Sequence, residues 1–239
     1  GITSKWHTML NISNLTASYG NTLILDNINL EAAAGEVHGL LGVNGAGKTT
    51  FFKALCRLGL SFSGEATWQG APLPPAGMGY LPAEPYFYPY QTGQEYLELC
   101  SHRNPRFPID KWNGLFQLPL KNLTETYSTG MRKKLALLGI LAGGYPVLLL
   151  DEPFSGLDLE STEILYEILE ELKRNGLCLL LSSHIMATVR QACDRVSYLS
   201  GGQIQETFDK EDFPALEQFI KTTIHDRTKA AWAEIRKPS

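Results

Sequence analysis

Gly42-Val43-Asn44-Gly45-Ala46-Gly47-Lys48-Thr49 is the stretch on which the fold turns. A short run at 36–41 precedes it and reads as a strand. Residues 48–58 follow and read as a helix. The octet fits G-x-x-x-x-G-K-[ST], and each fixed position has a physical reason. Glycines let the backbone curl until its N–H groups face phosphate oxygens. A helix opening at Lys48 turns the positive end of its dipole to the same anion. Lys48 can reach the β- and γ-phosphates, and the Thr49 hydroxyl can ligate Mg²⁺. A chance glycine loop would lack the strand before it and the helix after it.

The second signal lies about a hundred residues downstream. Leu148-Leu149-Leu150-Asp151-Glu152 ends an apolar run of strand length on two carboxylates. A run without polar alternation suits a central parallel strand buried on both faces. At its end, beside a phosphate loop, Asp151 can hold Mg²⁺ and Glu152 can orient or deprotonate an attacking water. A positioned base contributes about 10²–10⁴-fold in rate.

Outward from these two sites, apolar runs alternate with helical patterns, the sign of an α/β architecture. Residues 10–17 and 23–30 read as strands around a Gly20-Asn21 turn, and 65–69 and 78–81 as further short strands. Residues 159–174 form an amphipathic helix, with Ile164, Leu165, Ile168, Leu169 and Leu172 on one face and Gly176 closing it. Residues 177–182 read as a buried strand. The segments 195–199 and 203–206 flank Ser200-Gly201-Gly202 as a hairpin, and a polar helix covers 214–236. Between 84 and 142 the chain has aromatics, prolines and helical segments but no convincing strand. Thr92-Gly93-Gln94-Glu95 is a capping box there. The expected division is a remnant foreign to the fold at 1–8, with Met9 a natural start. An α/β core with its β subdomain covers 9–83 and 143–213, a helical subdomain 84–142, and a C-terminal helix 214–239.

Composition narrows the function classes. The chain has 239 residues, 44% apolar and 19% charged, and carries a net charge of −4. A chain of this length buries roughly 70–75% of its unfolded surface without staples. The acidic balance gives no electrostatic footprint for nucleic acid, so no nucleic-acid partner is expected. Cys56, Cys100, Cys178 and Cys193 form no C-x-x-C pair and read as packed thiols in a reducing, cytosolic compartment. No apolar run approaches the roughly 20 residues that cross a bilayer, and no signal-peptide pattern is visible.

Six motifs in order resemble the nucleotide-binding domain of an ATP-binding cassette (ABC) transporter. Tyr19 resembles the aromatic that stacks on adenine. The glycine loop is followed by Tyr127-Ser128-Thr129-Gly130-Met131, similar to the family signature, and then by Asp151-Glu152. Ser155-Gly156-Leu157-Asp158 resembles the D-loop, and His184 the switch histidine. The resemblance runs from about Leu10 to Glu206. It implies a P-loop NTPase (RecA-like) core with an antiparallel β subdomain and an inserted α-helical subdomain. It implies an ATPase using ATP and Mg²⁺. Lys48, Glu152 and His184 would serve catalysis, and Thr49 and Asp151 the metal. Tyr19, Gly42, Asn44, Gly45, Gly47, Lys48, Thr49, Thr50, Ser128 and Gly130 would hold nucleotide. Ser128 and Gly130 would serve the ATP of a second copy docked head to tail. A transmembrane permease subunit is the implied partner, at the cytoplasmic face of the inner membrane.

Three departures from the family pattern stand out. Ala83 occupies the position of the glutamine that usually follows the strand at 78–81, with Glu84 beside it as a substitute. Thr129 and Met131 replace a glycine and a glutamine of the signature, a form that resembles drug- and antibiotic-exporter subunits. The stretches 61–79 and 84–121 are short for the family, and the residues after Glu206 leave no room for a regulatory domain. These features favour an exporter. The alternatives are a weakly hydrolysing regulatory subunit, which Ala83 favours and Glu152 and His184 disfavour, and a soluble ABC ATPase outside transport. Tyr86, Phe87, Tyr88 and Tyr90, flanked by Pro85 and Pro89, form an ordered loop in this reading, with some rings inward and some facing the permease.

Overall fold

The computed structural model describes residues 9–236, so the remnant expected at 1–8 lies outside the described residues. The first strand β1 (Met9–Tyr19) pairs antiparallel with β2 (Thr22–Ala33) across Gly20-Asn21, Tyr19 lying opposite Thr22. β3 (Glu36–Leu41) leads through the glycine loop into α1 (Lys48–Leu55). The helix stops short of residue 58 because Arg57 adopts a left-handed φ of 56°, which no right-handed helix continues. β4 (Ser61–Trp68) starts four residues before the expected 65, since its polar first residues pair with Thr16–Ser18 of β1. The two-residue β5 (Ala71–Pro72) closes this sheet, and β6 (Met78–Leu81) belongs to the next.

Helices dominate the middle of the chain: α2 (Gly93–Cys100), α3 (Ile109–Asn113) and α4 (Thr129–Ala142). The Thr92 hydroxyl accepts from the Glu95 N–H while the Glu95 carboxylate accepts from the Thr92 N–H, so the expected capping box is formed. β7 (Val147–Asp151) then precedes α5 (Leu159–Arg174). α5 ends with the Gly176 N–H on Lys173 O and the Leu177 N–H on Leu172 O, the paired bonds of a Schellman motif, with Gly176 at φ 78°. β8 (Cys178–Ser183), the short α6 (Met186–Ala192), β9 (Arg195–Ser200), β10 (Gln203–Asp209) and α7 (Phe213–Ile235) complete the fold. α6 spans two turns, too short for apolar periodicity to show it in the sequence.

Two sheets result. One has the order β2-β1-β4-β5. The other runs β10-β9-β3-β8-β7-β6, parallel throughout except for β10 at its edge. The apolar run of β7 serves two cores at once. Val147 and Leu149 join Phe51, Phe52 and the inner face of the four-stranded sheet around α1. Leu148 and Leu150 point the other way, onto residues of α4 and α5. This two-sided burial, with all five residues inaccessible, is why β7 shows no polar alternation. Truncating one such leucine to alanine costs about 2–5 kcal/mol. The consequence for the site is positional: the carboxyl ends of β3 and β7 emerge on either side of β8, and the loops at those ends meet. Among the described residues, no helix is long and apolar enough to cross a membrane.

Candidate functional site

A cavity of about 420 Å³ opens where these strands end, lined by Ile24, Asn44, Gly45, Gly47, Lys48, Thr49, Thr50, Ala83, Asp151 and Glu152. The loop over it depends on Gly47 and Gly42. Gly47 holds φ 109°, and a Cβ there would sit 2.8 Å from the Leu25 side chain. A Cβ on Gly42 would lie 2.6 Å from the Leu199 carbonyl. Only glycine satisfies both constraints at position 47.

Lys48, only 6% exposed, donates to Gly42 O at 2.5 Å and Val43 O at 3.1 Å, and its Nζ lies 3.8 Å from Glu152 Oε1. Burial lowers its pKa, and the Glu152 and Asp151 carboxylates partly oppose that shift. A desolvated cation at the wall of a cavity, beside a helix N-terminus, is suited to an anionic ligand. Asp151 is fully buried, and its two oxygens are held separately. Thr49 Oγ1 donates to Oδ2 at 2.7 Å, and Ser182 Oγ donates to Oδ1 at 2.6 Å. The Thr49 hydroxyl and the Asp151 carboxylate are hard oxygen donors at the cavity wall, a set that fits Mg²⁺ together with phosphate oxygens.

Glu152 has an unusual backbone. Its φ is 47°, the left-handed region that costs a non-glycine residue about 1–3 kcal/mol unless its surroundings hold it. Three contacts do so. Its N–H donates to Ser182 Oγ at 2.9 Å, and its carbonyl accepts from the Ser155 N–H and the Lys133 ammonium, each at 3.1 Å. The strain turns its carboxylate into the cavity, where Oε1 lies 2.9 Å from His184 Nδ1. The arrangement can bind a polyphosphate, hold a divalent cation through oxygen donors, and present a carboxylate to a water.

The structure brings Asn44, Gly45, Gly47, Lys48, Thr49, Thr50, Asp151 and Glu152 to one cavity, with His184 bonded at its rim and Gly42 beneath the loop. Tyr19 is exposed at the end of β1 and is not part of the lining. Ser128 and Gly130 also lie outside it. Ser128 caps α4 by accepting from the Met131 N–H, and Gly130 packs so closely on Gly156 O that a Cβ would come within 2.8 Å. Ala83 lines the cavity, whereas its neighbour Glu84 does not. Of the aromatic loop, Phe87 is buried, while Tyr86, Tyr88 and Tyr90 are 72%, 63% and 81% exposed.

Two residues escaped the sequence reading. Ser182 sits directly opposite Asp151 in the β7–β8 register, and a hydroxyl ending the apolar run of the adjacent strand was its visible signal. Lys133, 3% exposed, donates to Ala83 O at 2.6 Å as well as to Glu152 O. In the sequence it sits in Arg132-Lys133-Lys134, indistinguishable from a solvated basic face.

Comparisons with known proteins point to one family. A family model described as ABC transporter matches residues 25–155. The lantibiotic transport ATP-binding protein SrtF of Streptococcus pyogenes is 31% identical over 224 residues, 90% of this chain and 97% of that protein. An uncharacterized ABC transporter ATP-binding protein of Methanocaldococcus jannaschii is 32% identical over 204 residues, 81% of this chain and 75% of its own length. A solved structure described as the ATP binding subunit of an ABC transporter superposes with a TM-score of 0.78 at 27% identity, covering 86% of this chain and 91% of that one.

Proposed function

Because the chain belongs to the ABC transporter ATP-binding family and is an ATPase motor subunit of such a transporter, we propose that it hydrolyses Mg-ATP in the cavity under residues 44–50. One observation carries this reading. Glu152 Oε1 meets His184 Nδ1 at 2.9 Å and Lys48 Nζ at 3.8 Å, beside the Thr49–Asp151 pair. Gly42, Asn44, Gly45, Gly47, Lys48 and Thr50 cradle the phosphates, and Tyr19 stacks on the base. Thr49 and Asp151 hold Mg²⁺, which, when bound, neutralises charge on the phosphate oxygens. Glu152 orients and deprotonates the attacking water, and His184, hydrogen-bonded to it, contacts the terminal phosphate. Lys48 meets the charge that develops on the transferring phosphoryl group.

The partners follow from what the single cavity leaves out. Ser128, exposed, and Gly130, half-buried, stand at the N-terminus of α4 outside the cavity, so a second copy, docked head to tail, presents them to this ATP. The division of the chain into a core at 9–83 and 143–213, a helical subdomain at 84–142 and a C-terminal segment at 214–239, which contains most of α7, serves that assembly. A separate transmembrane permease takes up the motion at the cytoplasmic face of the inner membrane, and the exposed Tyr86, Tyr88 and Tyr90 dock it. The lantibiotic-transport relative favours export.

Glu152→Gln tests the chemistry. It is expected to keep nucleotide binding and lower hydrolysis by at least about 10²-fold. Sedimentation in Mg-ATP should then show a dimer that Ser128→Arg abolishes, because a ligand bound only by the dimer stabilises it by mass action. Wild-type turnover in Glu152→Gln would refute the assignment.

A further inference from the structure

A cation buried between two main-chain carbonyls is costly to desolvate, and an apolar side chain of similar volume would fill the same space. Lys133 is such a cation. It projects from α4, the helix that Ser128 caps, and its Nζ donates to Ala83 O at 2.6 Å and to Glu152 O at 3.1 Å. Both acceptors belong to residues that line the nucleotide cavity. The neighbouring Arg132 grips the same loop from the same helix, with Nη2 donating to Pro85 O at 3.3 Å and its guanidinium 4.9 Å over the Phe87 ring. The loop that begins at Ala83 and carries the exposed Tyr86, Tyr88 and Tyr90 is therefore clamped to α4, and one of the two clamps continues to Glu152.

We propose that Lys133 is a positioning residue for hydrolysis: its ammonium holds the left-handed backbone of Glu152 and ties that backbone to the loop beginning at Ala83. The inference rests on the reading of Glu152 as the group that handles the attacking water. A charge-assisted hydrogen bond to a carbonyl is shorter and stronger than a neutral one, and Lys133 supplies two at once. With the ammonium gone, Glu152 keeps its carboxylate, but the peptide at φ 47° loses one of its three holds. The strained conformation relaxes, and the carboxylate swings away from the position that faces the phosphates. Nucleotide binding depends on the loop at 42–50 and is untouched by this movement. Ala83 contributes only its carbonyl, so the bond to Lys133 does not depend on which side chain position 83 carries.

The test measures steady-state Mg-ATP hydrolysis and thermal melting on the full chain. Lys133→Met and Lys133→Gln, two neutral side chains, one apolar and one with an amide, are compared with Lys133→Arg and with Glu152→Gln. Misplacing a catalytic group by an ångström costs up to about 10²-fold, so the folded neutral variants should lose about 10- to 100-fold in kcat. Their KM for ATP should stay within about twofold, and Lys133→Arg, which restores a charged donor, should recover most of the kcat. A purely structural pin would show wild-type kcat in any neutral variant that remains folded, and that result overturns the proposal. So does a rise in KM that accounts for the whole loss of kcat/KM. The control separates the two readings. If Glu152→Gln is inactive while a folded Lys133→Met turns over normally, only the positioning role fails. If Glu152→Gln hydrolyses at the wild-type rate, the assignment of Glu152 fails first.

Discussion

Ser182→Ala removes a single oxygen and should be among the more damaging small changes available to this chain. The hydroxyl is fully buried, donates to Asp151 Oδ1 at 2.6 Å and accepts from the Glu152 N–H at 2.9 Å. The first bond is to a buried carboxylate, and hydrogen bonds to charged groups contribute about 1.5–3 kcal/mol. The second satisfies a main-chain donor whose isolation in the interior costs about 1–3 kcal/mol. The two terms together predict a loss of about 2.5–6 kcal/mol, with little cavity contribution because only a hydroxyl is deleted. For a chain of this length each kcal/mol corresponds to about 2–4 °C, so the melting temperature should fall by about 10 °C. Urea titration of the nucleotide-free protein provides the equilibrium figure: the midpoint should drop while the slope stays constant, the mark of a changed native state rather than a changed unfolded one. ATPase activity should fall as well, because the Glu152 N–H bond is one of three holds on its left-handed backbone. An unfolding free energy within about 0.5 kcal/mol of wild type would refute this account and mean that water or a neighbouring group replaces the hydroxyl.

Two further outcomes follow from the structure. The Asp158 carboxylate caps α5 by accepting from the Ser161 N–H, and that bond lowers its pKa below the ordinary 3.8. A depressed carboxylate contributes stability that is present above the unfolded pKa and lost as the pH falls through the folded one. The melting-temperature advantage of wild type over Asp158→Asn, which keeps a cap but no charge, should therefore shrink between neutral pH and about pH 2.5, and a constant difference would contradict it. In the aromatic loop, Phe87 packs edge-on against Tyr96 at 4.8 Å beneath Arg132, so Phe87→Ala should cost about 3–5 kcal/mol in denaturant titrations. Tyr88→Ala, at an exposed ring, should stay within about 0.5 kcal/mol while reducing transport in reconstituted vesicles, and unfolding by both variants would remove the docking role.

The readable parts of the sequence were those whose physics is local. Turn geometry and close approach dictate the glycines at 42, 45 and 47, and two-sided burial dictates the unbroken apolar run before Asp151. The capping box at Thr92, the glycine that closes α5 and the hairpin at Gly201-Gly202 each depend on a few consecutive residues, and each formed as expected. The start of β4 was misplaced because partner-strand pairing with β1, not the propensity of Ser61-Phe62-Ser63, makes those residues a strand. α6 was missed because two turns hold too few apolar positions to show a period.

The sequence by itself determined which chemical groups are present and the order in which they occur: a lysine and a threonine after a glycine loop, paired carboxylates at the end of a buried strand, a histidine beyond the next. Tertiary structure alone decided what holds those groups in place. Whether Ser182 faces Asp151 depends on the register between two parallel strands whose residues are 31 positions apart. Whether Lys133 is a solvated charge or a buried clamp depends on how α4 packs across the sheet, since a lysine in a basic run carries no sign of its burial. Local patterns encode conformation because they act through the few residues that a turn or a helix end can reach. The contacts that orient Glu152 act through space, between segments that only the folded sheet brings together.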